Sequence, residues 1–441
     1  MAQTHSAFIQ SVVERVRERT DEATTEMFAR CFENTLGTTL REMPDGTLFM
    51  LTGDIPAMWL RDSTAQLAPY LHFAAEDQTI SDMIAAVSRR QIEYVLLDPY
   101  ANAFNSEANG AGHQSDRTDQ SPWVWERKYE VDSLCYPIQL AHDLWTLTGR
   151  ADHLGDSFAR AARTIIALWR TEQNHETEST YRFERFDCPP SDTLVRDGRG
   201  SETAPTGLTW SAFRPSDDAC EFGYNVPGNM FAAVELQHIE TIATEVLGDD
   251  DLAASARALR ADIQRGIADH TVVSTPSGED AYAYEVDGRG GILLLDDANV
   301  PSLLSMPMFG WCRTDDPLYL ATRAFVLSTE NPTFFAGSLA SGTDSSGLGS
   351  PHTPTGHVWP IGLCIEGLTT DDPAEKDRIR RLLLETDAGT GLMHESFLVT
   401  DPTTFTREWF SWANAMFCEL VLDITGLRTL ERAPLTEARP A

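Results

Sequence analysis

The chain has 441 residues, of which 42% are hydrophobic, so it can bury a large core and does not belong to the disordered class. Its 67 Asp and Glu residues outnumber 34 Lys and Arg residues, which gives a formal net charge of −33. A surface of that sign repels phosphate backbones and anionic lipid headgroups. Nucleic acid and membrane surfaces are therefore poor candidates for partners.

The seven cysteines are scattered and form no CxxC pair, which is typical of reduced thiols rather than of a disulfide framework or a zinc site. The first residues lack a basic stretch followed by an apolar run, and no segment has the ~20 apolar residues of a membrane span. The sequence therefore predicts a cytoplasmic protein.

Apolar periodicity predicts twelve helices with boundaries that carry an uncertainty of a few residues. They are predicted at 5–33, 62–76, 79–98, 130–149, 151–175, 217–248, 250–270, 298–312, 316–328, 357–370, 372–388 and 407–426.

The predicted connectors alternate between short and long along the whole chain. If consecutive helices run antiparallel, every long connector emerges at the same end. This pattern predicts an all-α dominated fold, an (α/α) six-hairpin barrel or toroid, with residues 1–441 forming one catalytic domain. Small β-hairpin insertions are predicted in the long connectors, around the Pro-Asp-Gly turn of 39–53 and the Asp-Gly turn of 281–295. A helical solenoid is the alternative, but no repeat of ~34–45 residues is visible.

The first long connector holds Trp59, Arg61 and Asp62 within four residues. A tryptophan face packs on the C–H surface of a sugar, and charged side chains hold its hydroxyls. Asp62 or Ser63 is equally plausible as the N-cap of the next helix.

The second long connector holds Glu126 next to two tryptophans and Lys128, one of only two lysines in the chain. A pocket wall is favoured over a set of solvated surface charges. The third connector holds Arg214 followed by the adjacent carboxylates Asp217 and Asp218. Crowded carboxylates raise one pKa, as a general acid requires, and Arg214 can keep the other ionised. A helix N-cap is the simpler interpretation of one of the two.

The fifth long connector contains His352, His357 and Trp359. The spacing of the two histidines does not match a helical metal-ligand pair, so a polar ligand with Trp359 as a platform is favoured over zinc.

The sixth connector contains His394 and Glu395 in a Gly-rich turn, then Arg407 and Glu408. Glu395 is the candidate general base, because Glu408 can be explained as an acidic residue in the first turn of a helix. No serine-nucleophile, dinucleotide or phosphate-loop motif is present. Paired carboxylates together with Trp, Arg and His are typical of the active sites of enzymes that hydrolyse glycosidic bonds.

Six of these segments together resemble glycoside hydrolase family 125, a family of metal-independent exo-acting α-1,6-mannosidases. The segments are TGDIPAMWLRDS, WERKYEVDSLCYP, FRPSDDACEFGYNVPGNMF, SPHTPTGHVWPIG, GLMHESF and FTREWFSWANAMF.

The resemblance implies the same (α/α) barrel and the release of non-reducing terminal α-1,6-linked mannose from an oligosaccharide, with inversion and without a metal or other cofactor. By motif, Asp217 or Asp218 is the general acid and Glu395 the general base. The residues implied to bind the sugar are Trp59, Arg61, Asp62, Glu126, Arg214, His352, Trp359, His394 and Arg407.

Two other functions remain open from the sequence. A sugar epimerase on the same barrel would use a histidine pair, for which His352 and His394 are candidates. A catalytically silent sugar-binding module would bind mannose without turnover.

Overall fold

The computed structural model describes residues 2–436, with side chains from residue 6 onward. The fold is mostly helical. Its helices are α1 Ala2–Arg17, α2 Glu22–Thr38, α3 Leu60–Ala65, α4 Ala68–Leu71, α5 Gln78–Leu97, α6 Val131–Thr148, α7 Asp156–Gln173, α8 His175–Glu178, α9 Val195–Gly198, α10 Val226–Ile242, α11 Asp250–His270, α12 Pro317–Val326, α13 Pro360–Leu368, α14 Pro373–Glu385 and α15 Ser411–Ile424.

Short antiparallel strands occupy the connectors. They are β1 Leu40–Glu42, β2 Leu48–Met50, β3 Met58–Trp59, β4 Ala103–Phe104, β5 Val124–Glu126, β6 Tyr224–Asn225, β7 Val272–Ser274, β8 Asp280–Tyr282, β9 Glu285–Val286, β10 Ile292–Leu293, β11 Phe334–Ser338, β12 Asp344–Leu348, β13 His357–Val358, β14 Ser396–Leu398 and β15 Asp401–Thr406. The pairings β1–β2 and β9–β10 confirm the two hairpins that the turn sequences predict.

The helices fall into a buried set and a half-exposed set. Helices α3, α6, α10, α13 and α15 are buried along most of their length, and α3 contacts α6, α6 contacts α10, and α15 contacts α13 and α3. Helices α2, α5, α7, α11 and α14 pack against them or against one another and keep an exposed face. Helix α12, also half-exposed, packs on β8, and its Arg323 bonds to Glu366 of α13 and Glu375 of α14. Among the described helices, none is both long and apolar enough to cross a membrane.

The two sets differ in how their helices begin. Five half-exposed helices, α2, α5, α11, α12 and α14, start at an Asp whose carboxylate accepts backbone N–H groups of the first turn. Among the buried helices, α3, α6, α13 and α15 start at Trp59, Glu130, Trp359 and Phe410 without a side-chain cap. Side chains at these starts are thus available for the site.

Three sheets tie successive connectors together where the buried helices begin. β3 pairs with β4 and β4 with β5, β6 pairs with β9, and β13 pairs with β14, which pairs with β15. These pairings join the first long connector to the second, the third to the fourth, and the fifth to the sixth.

The predicted helix over 298–312 is wrong, since this segment is a series of turns. Pro301 and Pro307 cannot supply the N–H groups that a helix needs, and the Asp296 carboxylate accepts the N–H groups of Leu303 and Leu304 at 2.8 and 2.9 Å. The segment still lies between α10 and α13, since the Phe309 ring lies 5.2 Å from that of Phe231 on α10 and the Ala298 side chain lies against Gly362 of α13.

Other boundaries also differ from the prediction. The helix predicted at 5–33 is broken at 18–21, and the one predicted at 62–76 is two short helices. Residues 217–225 are not helical, because Phe213 and Ala219 form an antiparallel bridge and Asn225 caps α10. Neither Asp62 nor Ser63 caps α3, whose N-cap position is held by Trp59.

Candidate active site

One cavity opens where the buried helices start and the long connectors converge. Its wall is built from Thr52, Ile55, Trp59, Arg61, Asp62, Pro215, Ser216, Asp217, Asn299, His352, Trp359, Glu395, Arg407, Phe410 and Trp412.

Eight of the twelve residues predicted for the site line this cavity. They are Trp59, Arg61, Asp62, Asp217, His352, Trp359, Glu395 and Arg407. They come from four connectors, spread over more than 340 residues of sequence, so the convergence is a property of the fold and not of any single segment.

Arg61 is the electrostatic centre of the site. Its Nη1 contacts the carboxylates of Glu130 at 2.7 Å and Asp132 at 3.0 Å, and its Nη2 contacts Asp217 at 3.1 Å. The Nε atom lies 3.9 Å from Asp62, so four carboxylates share one guanidinium that is 2% exposed. One positive charge cannot by itself neutralise four closely spaced carboxylates, although Arg407 also acts on Asp62, and Lys128 and His352 also act on Asp217.

The pKa values of the surrounding carboxyls reflect this imbalance. Burial raises the pKa of Asp62 and that of Asp132 each to about 6, although Arg61 acts in the opposite direction. Burial would likewise raise the pKa of Asp217, but Arg61, a hydrogen bond from Glu130, and Lys128 together hold it well below its usual range.

Asp217 sits in a tight loop with a left-handed backbone, φ = +68°. The Arg214 N–H donates to the Asp218 carbonyl at 2.7 Å, the Asp217 N–H donates to the Arg214 carbonyl at 2.9 Å, and Lys128 Nζ donates to the Asp217 carbonyl at 2.6 Å. These bonds impose a conformation that a residue with a Cβ rarely adopts, and they aim the carboxylate of Asp217 at the cavity.

Asp218 points to a different partner. Its Oδ1 lies 3.2 Å from His352 Nδ1, and the residue is only 3% exposed. Burial tends to lower the pKa of His352, yet the hydrogen bond and the charge of Asp218 raise it to about 9. His352 is therefore an imidazolium at neutral pH, held over the cavity by Asp218.

Glu395 lies in another connector, beside Arg407. Its Oε1 is 3.3 Å from Arg407 Nη1, and its N–H donates to the Arg407 carbonyl at 3.3 Å. Arg407 also forms an ion pair with Asp54 and places its guanidinium 4.5 Å from the centre of the Phe410 ring. Arg407 thus fixes the candidate base without enclosing it.

The other four predicted residues lie behind the wall. Glu126 accepts hydrogen bonds from Asn102 at 2.9 Å and Arg185 at 2.8 Å. His394 stacks on Phe405 at 3.9 Å, and its ring nitrogens lie 3.0 and 3.2 Å from two backbone carbonyls. These side chains support the wall from behind.

The structure contradicts the predicted role of Arg214. We expected it to keep one of the adjacent aspartates ionised, but its Nε lies 2.5 Å from Glu285 Oε1. Glu285 comes from β9, which pairs with the strand preceding α10, and this long-range partner is not visible in the sequence. The cation that contacts the Asp217 carboxylate is Arg61, more than 150 residues away.

Several residues of the site were not predicted from the sequence. Trp412 lines the cavity 5.6 Å from the Arg61 guanidinium, and Asn299 lies in the segment that was mistaken for a helix. Glu130 and Asp132 stand at the start of α6, and their place two residues apart in the segment WERKYEVDSLCYP was the available signal. Among the described residues, no group of three or more His, Cys, Asp or Glu is arranged to hold a metal ion.

A mostly helical fold with carboxylates from separate connectors and tryptophans around one cavity fits a glycoside hydrolase. A family profile described as metal-independent alpha-mannosidase (GH125) matches residues 21–422. The chain belongs to glycoside hydrolase family 125 and is an α-mannosidase.

Individual relatives agree with this assignment. A Streptococcus pneumoniae structure, described as a non-productive substrate complex with α-1,6-mannobiose, shares 50% identity and a TM-score of 0.92 over 95% of this chain and 97% of its own. The meiotically up-regulated gene 157 protein of Schizosaccharomyces pombe is 38% identical over 98% of this chain and 87% of its length. A bacterial glucoamylase at 13% identity, with a TM-score of 0.55 over 90% of this chain and 55% of its own, shares only the fold.

Proposed function

We propose that the protein is an exo-acting α-1,6-mannosidase that releases the non-reducing terminal mannose of mannooligosaccharides with inversion of the anomeric configuration. The observation that carries the proposal is the placement of two separate carboxylates, Asp217 and Glu395, on one cavity wall lined by Trp59, Trp359 and Trp412. The α-1,6 linkage rests on the mannobiose bound by the S. pneumoniae relative at 50% identity.

Asp217 is the general acid of the proposed reaction. Because Arg61 and Lys128 hold its pKa low, it must take up a proton before it can protonate the departing glycosidic oxygen. It lines the cavity with a side chain that is 27% exposed, whereas Asp218 is buried and engaged by His352. A proton donor must reach the leaving oxygen at hydrogen-bond distance, which favours Asp217 over its neighbour.

Glu395 is the general base, and it deprotonates the water that attacks the anomeric carbon from the opposite face. Its ion pair with Arg407 keeps the carboxylate oriented, and no second ion-pair partner is found among the described residues. An inverting mechanism needs room for that water, so we expect the acid and base carboxyls ~6.5–9.5 Å apart in a mannoside complex.

The remaining wall residues bind and orient the sugar. The indole faces of Trp59 and Trp359 suit C–H surfaces of a mannose ring, while Asp62, His352 and Arg407 present charged groups to its hydroxyls. The four residues behind the wall, Glu126, Arg214, Asp218 and His394, support this binding by fixing the groups that touch the sugar.

The architecture that we propose is a closed (α/α) six-hairpin barrel in a single domain. The contacts among α3, α6, α10, α13 and α15 support it, as does the position of the 298–312 segment between α10 and α13. We also propose a cytoplasmic location, which would require the oligosaccharide to be imported before cleavage.

The test of this function is mannose release from α-1,6-mannobiose, compared with the α-1,2 and α-1,3 isomers, in the presence of a chelator. We expect hydrolysis of the α-1,6 isomer at least about tenfold faster than of the others. Conversion of free mannose without glycoside cleavage would indicate an epimerase, and binding without turnover would indicate a sugar-binding module.

A further inference from the structure

A second cavity lies between α5, the turn that joins β1 to β2, and the start of α7. Its volume is about 550 Å³, within the range of ~300–1,000 Å³ that is typical of small-molecule sites. None of the residues that line it also lines the active-site cavity, and none has a role in the proposed reaction. We call this cavity the α5–α7 groove.

The apolar part of the groove includes Leu97 and Trp123. Leu97, at the end of α5, is 41% exposed and is one of five large hydrophobic residues that are exposed in the described part of the chain. Trp123 is half-buried against the core. Among the described residues, no aromatic ring or guanidinium stacks on its indole, and none accepts a hydrogen bond from its Nε1. An indole of this kind suits a ligand that has both C–H surface and hydroxyl groups.

Two hydrogen-bond donors come from the start of α7. Gly155 holds the N-cap position and supplies no side-chain cap, unlike the aspartates that precede α2, α5, α11, α12 and α14. The backbone N–H groups of Asp156 and Ser157 therefore have no acceptor among the described residues. Both residues line the groove, so a hydroxyl oxygen of a ligand can accept from these N–H groups.

The groove also contains acceptors that lack donors. His153 lines it and is 4% exposed, and its Nε2 lies 2.8 Å from the Ala141 carbonyl, so Nε2 carries the proton and Nδ1 is an acceptor. No described residue donates to that Nδ1. The carboxylates of Glu93 and Asp156 likewise have no hydrogen-bond or ion-pair partner in the described part of the chain. Ligand hydroxyl groups can donate to acceptors of this kind.

The charges of the groove disfavour an anionic ligand. Four carboxylates face two guanidiniums, and both guanidiniums are already paired, Arg90 with Asp45 at 2.5 Å and Arg89 with Asp152 at 3.2 Å. Within the described residues, no group of His, Cys, Asp or Glu is arranged to hold a metal ion. Unpaired donors, unpaired acceptors and an apolar surface together fit a neutral polyhydroxylated ligand, which is a saccharide.

A small sheet connects the groove to the active site. Trp123 directly precedes β5, which pairs with β4, and β4 pairs with β3. Strand β3 ends at Trp59, which lines the active-site cavity. Neighbouring strands lie ~4.8 Å apart, so the backbones of β5 and β3 are separated by about 10 Å. A mannooligosaccharide of several units is long enough to reach from the cavity to the groove.

We propose that the α5–α7 groove is a second carbohydrate site, which binds a mannose-containing oligosaccharide through a part of it that is not being cleaved. The choice of mannose rests on the proposed function, whereas the choice of a neutral saccharide rests on the groove itself. Binding in the groove raises the local concentration of glycan ends at the cavity and takes no part in bond cleavage. The groove should therefore matter for long substrates and not for a disaccharide.

The binding test follows the indole N–H resonance of Trp123 by proton–nitrogen NMR, with the resonance assigned through its absence in Trp123→Phe. The probe is α-1,6-mannobiose with sulfur in place of the glycosidic oxygen, which resists hydrolysis. We expect a saturable shift, with half-saturation at a concentration at least about fivefold higher in Leu97→Ser, because the serine loses apolar contact with the sugar. A resonance that does not move with the probe would overturn the proposal.

Leu320→Ser is the matched control for Leu97→Ser. Leu320 is 49% exposed on α12 and lies outside the groove, so its variant loses a similar exposed side chain and should titrate as wild type does. An equal weakening in both variants would show that the loss does not depend on the groove, and it would overturn the proposal.

The kinetic test compares a short and a long substrate. In Leu97→Ser, kcat/KM for α-1,6-mannobiose should stay within about twofold of wild type, whereas that for a linear α-1,6-mannan should fall about fivefold or more. Ser157→Trp places a large side chain in the groove at a half-exposed position, and it should give the same pattern if Leu97→Ser fails to fold. The proposal is wrong if neither variant changes the ratio of the two kcat/KM values.

The outcomes separate this inference from the function on which its choice of sugar rests. If wild-type protein releases no mannose from α-1,6-mannobiose, the proposed function is wrong, whatever the Trp123 resonance shows. If wild type is active and the Trp123 resonance does not respond to the probe, only the second carbohydrate site is wrong.

Discussion

Two nearly buried arginines, Arg61 and Arg432, organise opposite ends of the buried helices in different ways. Arg61 faces four carboxylates at the cavity, including Asp132 at the start of α6. Arg432 comes from the segment after α15 and pairs with Asp143 at 2.5 Å, and it donates to the Met308 carbonyl at 2.9 Å. Asp132 and Asp143 are eleven residues apart on α6, about 16 Å along the helix axis.

The two ends also differ in how well the positive charge of the arginine matches the negative charge around it. Around Arg432, Asp143 has a pKa held far below its usual range, whereas burial raises that of Glu235 and lowers that of His238 to about 4. Arg432 thus meets the Asp143 carboxylate directly, and the ionised Glu419 nearby has its own partners in His72 and Arg428. Around Arg61, carboxyls exceed cations and retain protons near neutral pH. The balanced end suits a structural tie, and the unbalanced end suits proton transfer.

The largest expected effect is on catalysis at the unbalanced end. Glu395→Gln removes the proposed base but keeps the shape of the side chain, so kcat should fall about 10³-fold or more while mannoside binding survives. Kinetics and calorimetry with α-1,6-mannobiose measure the two quantities. Glu408→Gln, in the same connector but exposed, is the control and should retain near wild-type kcat. Equal losses in both variants would remove the case for Glu395.

At the balanced end, the expected effect is on stability alone. Arg432→Met leaves Asp143 as an unpaired buried charge, which typically costs about 3–5 kcal/mol of unfolding free energy. Denaturant unfolding measures the loss, and kcat of the folded fraction should stay within about twofold of wild type. A large loss of kcat at unchanged stability would contradict the division of roles between the two ends.

A smaller effect of opposite sign is expected for Asp62→Asn. The pKa of Asp62 is raised to about 6, so its ionised form destabilises the folded protein above that pH, and the neutral amide relieves this cost. We expect about 1–3 kcal/mol of added stability at pH 8, shrinking toward zero below pH 4, together with weaker sugar binding. Urea unfolding at both pH values measures the expected gain in stability, and a destabilised variant at pH 8 would refute it.

The smallest effect concerns His352. Its pKa is raised from 6.5 to about 9 in the folded protein, so its contribution to stability is complete below pH 6.5 and is lost as pH rises through 9. In His352→Gln the melting temperature should vary less between pH 6.5 and 9 than in wild type. An identical pH dependence in both proteins would show that Asp218 does not hold His352 protonated.

Much of the site could be predicted because its residues occur in compact segments. Trp59, Arg61 and Asp62 lie within one turn of chain, and Glu395 follows a Gly-rich turn, so local chemistry marked both as functional. The hairpins were predictable for the same reason, since a two- or three-residue turn sequence determines their centres.

The rest of the site and of the fold could not be predicted, because it depends on contacts between residues that are distant in the sequence. Arg214 was assigned to the nearest aspartates in sequence, but β9 brings Glu285 to its guanidinium, and Arg61 takes its expected place at Asp217. The apolar 298–312 segment has the composition of a buried helix. Its prolines and the acceptance of two backbone N–H groups by Asp296 make it a series of turns instead.

The most direct test of the account is proton NMR of α-1,6-mannobiose during its hydrolysis, recorded before mutarotation equilibrates the product. Inverting exo-hydrolysis by Asp217 and Glu395 predicts that β-mannose appears first. Initial release of α-mannose would contradict inversion, and the absence of any released mannose would contradict the proposed activity.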